Sequence, residues 1–213
     1  PSIYTSYRFW INNTEIAHNG TVAKDKVHYE PHWLPQVQVY AVQKDTLDLV
    51  IQIANFDHYK GGASRPIQIG IPSHVYHERE LELASDMLLT GILVMGGLLF
   101  FGLYLMGQHE KEVLYFGIFC LLFVYRVIGV DNLYFFHYLF PSLDWHLTIH
   151  LEYGAMFLSI FIYSLFLRKL YPDETNDLFI YFVAGVSLAF FIVMLAAPIH
   201  VFTNSANLFY YLV

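Results

Sequence analysis

The chain has 213 residues, of which 56% are hydrophobic, 18% aromatic and only 14% charged. About 25% charged residues is usual in a soluble domain, so this composition excludes an ordinary soluble protein. The formal net charge of −7 excludes a basic surface for nucleic acid. The single cysteine, Cys120, excludes an intrachain disulfide, and its place in a hydrophobic run indicates a buried apolar side chain.

Residues 1–72 have the pattern of a β domain. Apolar and polar side chains alternate, which is the period of a sheet with one buried face. The runs are short and separated by Asn, Gly and Pro turns, which favours a partial β-sandwich with four to six strands. The predicted strands include 7–11, 14–17, 36–42, 47–53 and 67–71.

Residues 73–86 form a polar juncture, which from Glu78 onward is expected to begin a helix. Met87 to Gly107 then contains twenty-one residues without a charge. A helix needs about 20 apolar residues to cross a bilayer, so this stretch predicts the first membrane span. It lies in mid-chain, which excludes a cleaved signal peptide.

The region 87–213 is predicted to be a helix bundle in a lipid bilayer, with charges confined mainly to short loops. The chain begins in strand-like sequence and ends inside a hydrophobic run, so we expect a fragment whose fifth span is cut short. The predicted spans are 87–107, 113–130, 147–167, 178–199 and 202–213.

The basic residues of the short loops predict the orientation. Lys111 lies between the first and second spans, and Arg168 and Lys169 lie between the third and fourth. The positive-inside rule therefore places both loops in the cytoplasm and the β domain outside. In the outer loop 131–145, Tyr134, Tyr138 and Trp145 are predicted to form an interfacial aromatic belt.

Three stretches carry a family resemblance. IQIANFDHYKGGASRPIQIG (51–70) ends the β domain, LYFGIFCLLFVYR (114–126) opens the second span, and HLEY (150–153) lies in the third. In this order and spacing they resemble the bacterial seven-transmembrane receptors with diverse intracellular signalling modules (7TMR-DISM), with a type-2 extracellular domain. The resemblance extends from about Tyr7 to the end of the chain.

The resemblance implies a jelly-roll outer domain of the carbohydrate-binding kind, then seven helices, of which five are present here. It implies an extracytoplasmic small molecule or carbohydrate as ligand and a cytoplasmic signalling module, such as a kinase or cyclase, in the same chain. It further implies the bacterial inner (plasma) membrane and, by analogy, a homodimer. It implies neither a cofactor nor a catalytic residue in this part of the protein.

Two charges interrupt the predicted spans. Arg126 lies near the outer end of the second span and Glu152 near the outer end of the third, at similar depth. A charge in the membrane costs roughly 2.5–3.5 kcal/mol on insertion scales, so it normally faces protein and has a partner. We therefore predict an interhelical Arg126–Glu152 ion pair, which acts either as a packing clamp or as a signal-sensitive switch. The alternative is that the two charges have separate partners or extend to the membrane surface.

The loop after the fourth predicted strand has the composition of a ligand site. Its glycines allow close backbone approach, its polar side chains could bind a sugar hydroxyl, and a tryptophan could stack on a sugar ring. The alternative is a glycine turn that closes the sandwich, with the aromatic residues in its core. The candidate ligand-binding residues are Asn55, Asp57, His58, Lys60, Gly61, Gly62 and Trp33.

His146 and His150 are four residues apart, which places both on one helix face in a metal-ligand arrangement. Asp144, Asp131 or His137 could complete a zinc site, but no His-Glu-x-x-His motif is present and no metal is predicted. A membrane enzyme built on these residues is one alternative to a receptor. A transporter that uses Arg126 and Glu152 in a polar path is the other.

The glycines of the spans are predicted to be packing positions, because a residue without a side chain lets two helices approach closely. Gly96, Gly97 and Gly102 belong to the first span and Gly185 to the fourth.

Overall fold

The computed structural model describes residues 3–43, 45–63, 66–107, 109–130 and 135–213, with the side chains of His137 and Tyr138 excepted. They form two compact units. The first unit is Pro1–Glu82 with Asn132–Trp145, and the second is Leu83–Asp131 with His146–Val213.

The first unit contains a three-stranded antiparallel sheet. Its strands are β1 (Ser6–Ile11), β2 (Thr14–Asn19) and β3 (Leu49–Ala54), in the order β2-β1-β3. Three of the predicted strands are thereby confirmed. A bulge between Phe9 and Trp10 shifts the β1–β2 register.

A two-residue turn joins β1 to β2. Asn12 and Asn13 both have positive φ, 47° and 66°, which is the geometry of a type I′ hairpin and one that asparagine tolerates. The Asn12 side chain also accepts a hydrogen bond from the backbone amide of Asp48 (3.0 Å), which ties the hairpin to the start of β3. The turn therefore closes the hairpin and fixes its tip beside the start of β3.

One face of the sheet carries the core of the first unit. Tyr7, Phe9 and Ile11 alternate along β1 and are buried, whereas Arg8 between them is exposed. Burial raises the pKa of Tyr7 to about 12. The same core includes Ile3 and Ala17, with Ile16, Tyr40, Ile51, Ile53 and Ile67 packed against it.

Two predicted strands are wrong. Residues 36–42 and 67–71 alternate as predicted, but the structure contains no strand at either place. Within the described ranges, their backbones form no ladder with a neighbouring strand. A strand needs a hydrogen-bonded neighbour as well as an alternating sequence. The described sheet therefore has three strands, and a jelly-roll sandwich is not seen.

The juncture is helical throughout. Helix α1 (Pro72–Leu105) contains 34 residues, which corresponds to a length of about 51 Å. Pro72 suits the first helical position because its fixed φ matches the helix and its missing N–H has no acceptor there. Since about 30 Å of helix crosses the hydrocarbon core, the polar first turns of α1 extend beyond it.

Five further helices follow α1 among the described residues, and one of them is very short. Four of these described helices, α1, α2, α4 and α5, are long and apolar enough to cross a membrane, in agreement with the first four predicted spans. The bounds are α2 (Lys111–Val130), α3 (Phe135–Leu139), α4 (Trp145–Leu170), α5 (Asp177–Ala196) and α6 (Ile199–Leu212).

Helices α1 and α2 approach closely at two glycines. A Cβ placed on Gly97 would lie 2.9 Å from the Leu121 side chain, and one on Gly117 would lie 3.1 Å from the backbone nitrogen of Phe101. Gly97 is therefore a packing position as predicted, and Gly117 is one that the prediction missed. A Cβ on Gly96, Gly102 or Gly185 would meet nothing within 4 Å among the described residues, so a packing role of these three stays a prediction.

Aromatic side chains pack α4, α5 and α6 together. Phe157 of α4 is fully buried, with its ring centroid 5.8 Å from that of Phe190 and 4.9 Å from that of Phe209. Tyr153 contacts Phe202 one turn nearer the start of α4, at 5.5 Å. These contacts fix α4, which carries Glu152, against its neighbours in the second unit.

Candidate functional site

Asn55 builds the turn that follows β3. Its side-chain oxygen accepts hydrogen bonds from the backbone amides of His58 (2.9 Å) and Asp57 (3.3 Å). Its Nδ2 donates to the carbonyls of His58 (2.6 Å) and Lys60 (3.3 Å). The Asn55 amide therefore holds the backbone of residues 55–60 in one conformation.

His58 lies at the inner side of this turn and is only 4% exposed. Its ring stacks on Tyr4 with a centroid distance of 4.6 Å and an interplanar angle of 5°. Tyr4 in turn contacts Trp33, at 4.2 Å, and Trp33 is only 2% exposed. Burial lowers the pKa of His58 to about 4, so the imidazole is neutral at neutral pH.

The other predicted ligand residues lie at the outer side of the turn. Asp57 forms an ion pair with Lys26 (2.5 Å), and Lys60 and Gly61 are exposed. Gly62 has a φ of +83°, a conformation that disfavours any side chain. The structure thus brings six of the seven residues into one turn, with Trp33 next to it through Tyr4, and their role in ligand binding stays a prediction.

Trp145 connects this cluster to a membrane helix. It is the first residue of α4, it is only 4% exposed, and its Nε1 donates a hydrogen bond to the carbonyl of Tyr4 (2.8 Å). The sequence predicted an interfacial belt residue here, and no local signal pointed to Tyr4, which is 141 residues away. We call His58, Tyr4, Trp33 and Trp145 the aromatic junction. Tyr134 lies outside the described residues, as does the side chain of Tyr138.

The two predicted intramembrane charges lie on neighbouring helices. Arg126 of α2 is half-buried and Glu152 of α4 is buried, with 6% exposure. Tyr125, which precedes Arg126 in α2, has its hydroxyl 3.4 Å from the carbonyl oxygen of Thr148 in α4. Phe119 of α2 also contacts Tyr163 of α4, at 5.0 Å. The direct Arg126–Glu152 ion pair stays a prediction.

The histidines of α4 have separate neighbours. The Nδ1 of His150 donates to the carbonyl of His146 (2.7 Å), and its ring packs edge-on against Phe202, at 5.1 Å. No group of three His, Cys, Asp or Glu side chains that could hold a metal occurs among the described residues, Asp144 included. Asp131 and the side chain of His137 lie outside those residues.

The family model of the 7TM diverse intracellular signalling region matches residues 82–213, which is more than half of the chain. The chain belongs to this family. It is thus a transmembrane receptor of a signalling family that is not known as catalytic, and its four apolar helices fit an integral membrane protein. The match does not include the β domain. No curated protein and no solved structure matches the chain.

Proposed function

We propose that this receptor senses an extracytoplasmic small molecule or carbohydrate with its β domain, a partial jelly roll, and transmits the signal through the helix bundle to a cytoplasmic module of the same chain. Basic residues support the orientation, since Lys111, Arg168 and Lys169 all occur in the loops that this topology places inside. The membrane in this proposal is the bacterial inner membrane. The receptor itself performs no chemistry in this part of the chain.

The observation that carries the proposal is that two membrane helices begin inside the unit that contains the sheet. The residues Pro72–Glu82 of α1 and Trp145 of α4 belong to the first unit, and the remainder of each helix belongs to the second. A helix is stiff over a few turns because each turn is hydrogen-bonded to the next. A displacement of either helix start in the β domain is therefore carried toward the membrane.

The aromatic junction gives this coupling a specific route. The Asn55 turn positions His58, His58 stacks on Tyr4, and the carbonyl of Tyr4 accepts the hydrogen bond from Trp145. A ligand that changes the turn would change the position of Trp145 and hence of α4. The energetic requirement is that the ligand binds one arrangement of the helices more tightly than the other.

The sequence encoded beyond Val213 tests the output half of the proposal. We expect two further hydrophobic spans and then a kinase, cyclase, phosphatase or other regulatory module. A stop codon soon after a seventh span, with no soluble module, would refute transmission within one chain.

The accessibility of introduced cysteines tests the sensing half, because sensing requires the β domain to be outside. In intact cells, a Cys120→Ala background with a cysteine at Lys60 is expected to react with a membrane-impermeant maleimide. A cysteine at Lys111 is expected to react only after the cells are permeabilised. The opposite pattern would invert the topology and remove the extracytoplasmic sensor.

A further inference from the structure

The first unit contains a cavity of about 540 Å³ that none of the predicted site residues lines. Pockets for small molecules usually measure about 300–1,000 Å³, so its size suits a ligand of that kind. The cavity is lined by the apolar face of the sheet and by residues of 35–42, 66–70 and the first turns of α1. Its apolar lining includes Phe9, Ile16, Val39, Leu49, Ile67 and Val75.

The charged side chains in the cavity wall all come from α1. Val75 and Arg79 are one helical turn apart and half-buried, whereas Glu78 and Glu82 also line the cavity but are exposed to solvent. Arg79 forms no ion pair with any other residue in the part of the chain that the structure describes. A half-buried guanidinium beside an apolar surface is stabilised by an anion that can accept its hydrogen bonds.

We propose that this cavity binds a small amphipathic carboxylate, with the apolar body against the sheet and the carboxylate on Arg79. The inference rests on the proposed sensing function and gives it a ligand site beside α1, apart from the Asn55 turn, with a ligand class. A guanidinium presents paired donors that match the two oxygens of a carboxylate. A neutral sugar would offer the guanidinium no anionic group and would cover the apolar wall with hydroxyl groups.

Binding at this place acts directly on a membrane helix. Val75 and Arg79 lie in the part of α1 that belongs to the first unit, and the same helix continues without interruption to Leu105. A ligand that holds the first turns of α1 against the sheet changes the preferred position of this helix. The helix that contacts the ligand is then the same helix that crosses the membrane.

Three probes that differ only in the head group test the ligand class: 4-phenylbutyrate, 4-phenylbutanol and 4-phenylbutylamine. The full chain in lipid nanodiscs is titrated with each probe by isothermal calorimetry, with empty nanodiscs as the blank. We expect 4-phenylbutyrate to bind about 10 to 100 times more tightly than the alcohol, because a hydrogen bond to a charged group is worth about 1.5–3 kcal/mol. The amine is expected to bind more weakly still.

Two substitutions test the site. Arg79→Gln is expected to remove the preference for the carboxylate over the alcohol, whereas the matched control Arg8→Gln keeps it, since Arg8 is exposed on the other face of β1. Val39→Trp is expected to abolish binding of both probes by filling the cavity. Val39 is 62% exposed, so the larger side chain does not disturb the core.

Equal affinities for the three probes, or a carboxylate preference that survives Arg79→Gln, would overturn the inference. Absence of binding in a longer protein, where another segment fills the cavity, would overturn it too. A different result would refute the proposed function and leave the ligand site intact. If 4-phenylbutyrate binds through Arg79 but the distances between the membrane helices do not change, the site stands and the transmission through α1 is wrong.

Discussion

The contact between α1 and α2 at Gly117 predicts a change in the free energy of unfolding, and the distances at this glycine indicate the size of that change. A methyl group at position 117 would lie 3.1 Å from the backbone nitrogen of Phe101 and 3.2 Å from the carbonyl oxygen of Gly97. Both contacts are with backbone, so the helices must separate to admit it. Overpacking of this kind costs about 1–3 kcal/mol.

The matched control is Gly102→Ala, where a Cβ meets no described atom within 4 Å. Alanine gains about 1 kcal/mol over glycine in a helix at both positions. We therefore expect Gly102→Ala to stabilise the protein by up to about 1 kcal/mol and Gly117→Ala to destabilise it by up to about 2 kcal/mol. The difference between the two variants isolates the helix contact.

Equilibrium unfolding in mixed micelles, with far-UV circular dichroism as the signal and sodium dodecyl sulfate as the denaturant, measures both free energies of unfolding. If Gly117→Ala stabilises the protein as much as Gly102→Ala does, α1 and α2 do not meet at this glycine and the packing described above is wrong.

Three further predictions concern the junction and the intramembrane charges. Because the pKa of His58 falls from 6.5 to about 4 on folding, the unfolded state binds more protons between these values. Neutral His58 therefore contributes its full stabilisation above pH 6.5, and the free energy of unfolding decreases by about 3 kcal/mol as the pH falls toward 4. Melting curves of His58→Gln should lack this pH dependence. Trp145→Phe should lower the free energy of unfolding by about 1–2 kcal/mol in the same assay, because it leaves the Tyr4 carbonyl without its hydrogen-bond donor. An unchanged free energy of unfolding would argue against this hydrogen bond. Arg126→Gln and Glu152→Gln should each destabilise the bundle, with a double variant less destabilised than the sum, whereas strict additivity would show that the two charges do not interact.

The membrane helices could be predicted from the sequence because a helix is one of the few structures that a long apolar segment can form in a membrane. That constraint is local, so the first four spans were predicted close to their observed positions. The start of α1 was placed too late, at Met87 or Glu78 rather than Pro72, because its first turns are polar and carry no apolar run.

The errors have a common physical cause, which is that local sequence does not specify a neighbour. Residues 36–42 alternate as a strand does, but alternation supplies no hydrogen-bonded partner. Gly96 and Gly97 are adjacent and chemically identical, yet only Gly97 faces α2. Trp145 has the composition of a belt residue, and only the fold reveals its bond to Tyr4.

The sequence predicted only the part of the candidate site whose residues are adjacent in the chain. The polar residues of 55–62 were recognised as one loop because they are contiguous, and their turn chemistry is local. Which of them point inward depends on Tyr4 and Trp33, which come from distant parts of the first unit. The cavity beside Arg79 was missed because its walls come from four separate stretches of chain.

Coupling between the β domain and the membrane helices can be tested by a distance measurement in the membrane. Spin labels at Lys111 of α2 and Leu170 of α4, in a Cys120→Ala background, report the separation of these two helix ends by pulsed electron resonance. His58→Ala removes the stack on Tyr4, and Lys60→Ala changes an exposed side chain of the same turn.

We predict that His58→Ala shifts or broadens the distance distribution in nanodiscs, while Lys60→Ala leaves it as in the unsubstituted protein. If His58→Ala leaves the distribution unchanged although the stack on Tyr4 has been removed, the aromatic junction does not couple the β domain to the bundle.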